Sequence, residues 1–211
     1  EWANQLRTKY EQEVEGAREA FQEALKLESR RWVRREVLAG MIRCALLQGE
    51  YQRAASQFLN LVDSTSHTRF FHLIPLAWTC GERPEAGLVR EAKAWNARGS
   101  EMARLLAASY LLDDPTYRPL AENILRSLQT SADSRVRGLA RAQEWRNVVR
   151  LGQPTAAQVT SWKRQLRSLP GNLRGGPHYV LGQALLRRQQ HGDATAAFLW
   201  TSLVHNNDHY L

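Results

Sequence analysis

Cysteine is scarce in this chain. Only Cys44 and Cys80 occur in 211 residues, which is too few for a disulfide framework, although one bridge is open on count alone. Lysine is nearly as rare, with four residues against 25 arginines. Apolar runs reach only a few residues, so no transmembrane helix is expected. No glycine-rich phosphate loop, cysteine cluster or nucleophile elbow occurs, and no stretch alternates apolar and polar residues as a half-buried strand does. These absences remove metal-cluster, nucleotide-loop and serine-hydrolase chemistries from consideration. What remains is 43% hydrophobic and 24% charged residues, a globular and not a disordered balance.

The apolar residues recur with a helical period almost throughout. Val14, Ala17, Phe21, Ala24 and Leu25 share a face of a first helix that ends near Ser29. Val33, Val37, Leu38, Met41, Ile42, Ala45 and Leu46 share a second, and Gly49 is placed to end it. Ala54, Ala55, Phe58, Leu59, Leu61 and Val62 form a third, broken by Asp63-Ser64-Thr65-Ser66. Residues 70–78 are apolar without that period and contain Pro75, so an irregular segment tucked against the helices is expected there. Helical patterns resume over about 84–97 and 100–112, and Asp113-Asp114-Pro115 breaks the second. Leu120, Ile124, Leu125 and Leu128 mark the next, and another runs from about 135 to 151. Thr155 with Gln158 fits a capping box, opening a stripe of Val159, Trp162, Leu166 and Leu169. Pro170-Gly171 and Gly175-Gly176-Pro177 bracket an expected loop. Two last helices are expected over 178–190 and 193–205, with His191-Gly192-Asp193 as the turn. About ten short helices with short connections imply stacked antiparallel hairpins, as an α-solenoid or an all-α bundle.

Gly49-x-Tyr51-x-x-Ala54-x-x-x-Phe58 follows an apolar helix. Ala17-x-x-x-Phe21-x-x-Ala24-Leu25 repeats its second half 37 residues earlier, and Leu181-Gly182 followed by Ala194-x-x-x-Phe198 repeats it near the end. A small residue lets two helices approach, and the aromatic four residues on fills the gap. Ala121-x-x-x-Leu125-x-x-Leu128 is a weaker echo. On these residues the chain resembles the tetratricopeptide-like superfamily, clearly over about 10–63 and 178–205. It departs from that family in its 37-residue spacing, in a turn at His191-Gly192-Asp193 three residues late, and in the missing proline after each repeat. Residues 64–177 read as degenerate repeats or plain helical hairpins. The resemblance implies a single all-α domain over 1–211. It also implies a non-catalytic scaffold, without a cofactor, whose concave face holds a partner peptide or helix. The subclass that clamps acidic C-termini with lysines is not recognisable. A start at Glu1-Trp2 and a stop after a helical pattern read as a fragment of a longer, bacterial-type protein or a chain that has lost a leader; the compartment stays open.

Charge is the other guide. The net charge is +8, and residues 131–190 carry eleven basic and two acidic side chains, a net of +9. Such a stretch attracts nucleic acid, an anionic lipid surface or an acidic protein, or it is simply a solvated arginine-rich surface. Arg135, Arg146 and Arg150 share one side of their helix, and Arg137 and Arg141 the other. Lys163, Arg164 and Arg167 share a face, and with Arg174, Arg187 and Arg188 they could assemble a phosphate-binding patch. The alternative function is therefore a basic helical module that binds nucleic acid or another polyanion. Phe70, Phe71, His72 and Trp78 cluster in the irregular segment, where they either line a partner groove or plug the core. The seven tryptophans are scattered at helical spacing and are expected to pack hairpins. His205 and His209 stand four apart and could share a metal on a helix, with His178 or His191 as a third ligand. Asn206-Asn207-Asp208 between them favours a polar loop instead. Glu11, Glu15 and Glu19 line one helix face and read as solvated, and Cys44 reads as a small core residue.

Overall fold

The computed structural model describes residues 2–63, 68–79 and 86–204. Among them are ten α-helices and two 3₁₀ turns, and no strand. Cys80, His205, Asp208 and His209 lie outside the described residues. Contacts gather the chain into two compact units, Glu1–Pro75 and Leu76–Leu211.

The first unit holds α1 (Trp2–Leu27), α2 (Arg31–Leu47) and α3 (Tyr51–Asp63). Helix α2 packs on both α1 and α3, and a 3₁₀ turn over Thr68–Leu73 lies on α2 and α3. Gly40 of α2 makes the α1 contact close: a Cβ there would meet the Phe21 ring at 2.5 Å. Helix α2 stops at Gly49, whose φ of +72° suits glycine. The Glu50 N–H donates to the Ala45 carbonyl at 2.8 Å and the Gly49 N–H to the Leu46 carbonyl at 3.1 Å, a Schellman ending. Ala54 and Phe58 of α3 are then fully buried.

The second unit holds α4 (Ala86–Ala97), α5 (Glu101–Leu111), α6 (Arg118–Leu128), α7 (Ser134–Leu151), α8 (Ala156–Arg167), α9 (Gly175–Arg187) and α10 (His191–Val204). Local capping explains several starts. Ser100 accepts from the Ala103 N–H, Asp133 accepts from the Arg135 N–H, and Thr155 and Gln158 form the expected reciprocal box. The packing alternates. Helix α5 touches α7, and α7 touches α9; α6 sits against α5 and α7, and α8 against α7 and α9. Helices α4 and α10 pack on α5 and α9 respectively.

Two boundaries differ from the sequence reading. Gly175-Gly176-Pro177, expected to close the preceding loop ahead of a helix from 178, is the first turn of α9. Proline is tolerated there because the first turn's N–H groups have no intrahelical acceptor. Gly176 is buried because the Trp78 ring lies where its Cβ would be. The turn between α9 and α10 is Arg188–Gln190, and His191-Gly192-Asp193 opens α10. Gln189 takes the left-handed conformation at φ 59°. The Gln190 N–H donates to Leu185 and the Gln189 N–H to Leu186, both at 2.9 Å. This is the Gly49 ending again, with glutamine in glycine's place. Ala194 and Phe198 follow Gln189 at the spacing by which Ala54 and Phe58 follow Gly49. A Cβ at Gly182 would meet the Phe198 ring at 2.6 Å.

Candidate functional site

The most elaborate side-chain chemistry is buried. Arg146 of α7 is 0% exposed, although its sequence context suggested surface arginine. Its Nε–H donates to the Thr79 carbonyl at 2.8 Å. Its Nη1 donates to the Ser109 carbonyl at 2.7 Å and to Gln143 Oε1 at 2.9 Å. Its Nη2 donates to Asp113 Oδ2. Arg150, one turn on, places its Nε 3.8 Å from the other Asp113 oxygen. Burying a charge is tolerated when it is paired and hydrogen-bonded in this way.

Helices α5 and α7 also grip the chain's own irregular segment. Gln143 Nε2 donates to the Ala77 carbonyl at 2.9 Å. The Ala77 N–H donates to the Ser109 hydroxyl at 3.2 Å, and that hydroxyl donates to the Leu106 carbonyl. Side chains of α5 and α7 thus satisfy Ala77's backbone on both sides and Thr79's carbonyl, while Trp78 between them packs on Gly176 of α9. The α5–α7–α9 row holds the backbone of a non-helical segment by side-chain hydrogen bonds and seats its aromatic residue on a glycine.

That geometry places the sequence-derived site residues. Trp78 is 5% exposed, and Phe70 and Phe71 are buried as well. They fill their own units and do not line an open groove; His72 beside them is half-buried. Lys163, Arg164 and Arg167 are exposed on α8, and Lys163 pairs with Asp193 at the start of α10 at 2.8 Å. The basic stretch 131–190 is not one surface. Arg146 and Arg150 face Asp113, Arg135 pairs with Asp133 at 2.5 Å, and Arg174 and Arg188 donate to main-chain carbonyls. Glu15 leaves the expected solvated row: it accepts from Gln48 and pairs with Arg18. The Gln48 hydrogen bond is the first cause that holds its carboxyl below the ordinary range. Cys44 is buried, and burial pushes its thiol up. No group of three or more metal-binding side chains occurs among the described residues, and no described helix is long and apolar enough to cross a membrane.

The tryptophans divide in a way their spacing did not show. Trp95 and Tyr110 meet edge-on at 5.8 Å, and Trp145 and Trp162 stack at 5.4 Å, all four buried. Trp32 and Trp200 are instead 60% and 53% exposed. On α10, Ala194, Ala197 and Thr201 face inward, whereas Thr195, Ala196, Leu199 and Trp200 are exposed. The His178 ring of α9 stacks on the Trp200 indole at 5.8 Å, 7° from parallel. Among the described residues, α10 therefore packs one side on α9 and leaves Ala196, Leu199 and Trp200 exposed on another.

Comparison with family models, curated proteins and solved structures returns no match for this chain.

Proposed function

We propose that this protein is a non-catalytic helical-repeat scaffold that binds a partner helix or peptide on its hairpin stack. The reading rests on the tetratricopeptide-like pattern and on the alternation of α5, α7 and α9 with α6 and α8. The matching endings at Gly49 and Gln189 support it, because two hairpins with one turn geometry and one Ala-x-x-x-Phe spacing are what a repeat provides.

One observation carries the docking site: the open apolar side of α10. Among the described residues, α6 packs on α5 and α7, α8 packs on α7 and α9, and α10 packs mainly on α9. A partner helix would lie along Ala196, Leu199 and Trp200, with its own apolar residues at i, i+3 or i+4, and i+7. Trp200 suits an anchor, being large, with one face backed by His178 and about half of its surface exposed.

The test uses a photo-crosslinking residue in place of Ala196, with a control at exposed Thr160 on α8. Lysate of the native host is treated with nuclease, at low and high salt. One protein crosslinked at 196, not at 160, and lost with Leu199→Ser/Trp200→Ser, is the expected result. Crosslinks that ignore those substitutions would overturn the docking site. Material that disappears with nuclease or salt would favour the polyanion reading, whose best support is the exposed trio Lys163, Arg164 and Arg167.

A further inference from the structure

The hairpin between α1 and α2 ends in an unusual tip. Leu27, the last residue of α1, is 79% exposed, and Trp32 in the first turn of α2 is 60% exposed. Between and beside them runs Arg30-Arg31-Trp32-Val33-Arg34-Arg35. Residues 26–35 hold five basic side chains against one acidic one, Glu28, a net of +4. Arg30 lies over the Trp32 ring, 5.7 Å from its centroid, and also pairs with Glu28 at 2.6 Å. Arg34 donates to the carbonyls of Leu25 and Glu28, which ties the tip to the end of α1. Lys26 pairs with Glu23 at 3.0 Å and Arg35 is half-buried, so Arg30, Arg31 and Arg34 are the exposed arginines beside Leu27 and Trp32.

An exposed indole, an exposed aliphatic side chain and a ring of arginines together match one surroundings: the headgroup layer of a bilayer. Tryptophan settles at that level, arginine stems lie along apolar surface with their charges in the headgroups, and leucine reaches the acyl boundary. Phosphates of a nucleic acid would match the arginines equally well, but they offer nothing to Leu27. We propose that the α1–α2 tip is a peripheral contact surface for membranes rich in anionic lipid, independent of the docking site on α10.

The test is sedimentation of the full chain with vesicles of phosphatidylcholine alone, or with roughly a third phosphatidylglycerol. Binding to the anionic vesicles, weakened by salt and absent from the neutral ones, is expected. Arg31→Gln/Arg35→Gln should weaken it about thirtyfold, from about 1 kcal/mol per arginine at an anionic surface. Leu27→Ser/Trp32→Ser should weaken it with the salt dependence unchanged. Leu27, Arg31 and Trp32 are exposed and Arg35 is half-buried, and unchanged circular dichroism confirms that each variant is folded. Equal binding to neutral vesicles, or anionic binding that neither pair alters, would overturn the proposal. So would vesicles left unbound while a single-stranded RNA binds wild type and not Arg31→Gln/Arg35→Gln.

Discussion

Arg146→Ala tests whether the buried guanidinium holds the second unit together. The substitution removes four hydrogen bonds at once: to Thr79, Ser109, Gln143 and Asp113. Asp113 is left with Arg150 at 3.8 Å in a nearly buried position. Breaking one side of a buried ion pair costs about 3–5 kcal/mol, and each dry carbonyl left without a donor about 1–3 kcal/mol. The losses share one side chain and do not add in full, so about 4 kcal/mol is expected, a large part of a domain's stability. Arg146→Lys keeps the charge but not the planar fork, and should cost about 2 kcal/mol. The pair Arg146→Met/Asp113→Leu should recover part of the loss, because it removes both charges together. Urea unfolding followed by circular dichroism reads all three, with the slope unchanged if only stability moves. A cost for Arg146→Ala below about 1 kcal/mol would refute the reasoning. It would mean that the segment 76–79 stays in place without the arginine.

Other parts of the fold give sharper single expectations. Gly176→Ala would place a methyl group inside the Trp78 ring and should cost about 1–3 kcal/mol in thermal unfolding, with a change in tryptophan emission. Gln189→Gly should stabilise by about 1 kcal/mol, since the residue already sits at φ 59°. A measured loss would contradict that ending of α9. Thr155→Ala removes the box that opens α8 and should cost about 1 kcal/mol in urea. Glu28 has its carboxyl lowered from 4.5 to about 2, first by its side-chain hydrogen bond to Arg30. Its contribution is therefore full above pH 4.5 and lost as pH falls toward 2. The melting temperatures of wild type and Glu28→Gln should converge across that window.

Helix positions were legible wherever a breaker or a cap was written in side chains. Gly49, Asp113-Asp114-Pro115 and the Thr155–Gln158 box each mark a boundary that the structure keeps. The two misplaced boundaries share a cause. Glycine and proline were read as loop signals, and at Gly175-Gly176-Pro177 and at Gly192 they are inside helices. Gly176 is there to admit the Trp78 ring, a contact between residues nearly a hundred positions apart. At the true turn, Gln189 carries no local signal, because its left-handed backbone follows from the Ala194–Phe198 packing on α9 and not from its own preference. Reading the turn from the Ala-x-x-x-Phe phase, and not from the nearest glycine, would have found it.

The candidate surfaces were harder to read, and for one physical reason. A helical wheel separates apolar from polar residues, but it assumes that each kind has one place. Here both kinds are divided. Of the arginines on α7, Arg146 is the most buried, since Asp113, Gln143 and the carbonyls of Thr79 and Ser109 converge on it. Of the tryptophans whose side chains are described, Trp32 and Trp200 are the most open, since each lies on a side of its helix left exposed among the described residues. No periodicity distinguishes Trp200 from Trp162, or Arg146 from Arg141. Only the partners across the fold do. The buried arginine explains why the segment holding Trp78 is part of the second unit's interior and not a vacant groove. If interior positions are taken by the chain itself, recognition must use what faces outward, and among the described tryptophans only Trp32 and Trp200 do so. One is ringed by arginine and the other backed by histidine on an apolar helix, which is why the two are assigned different partners.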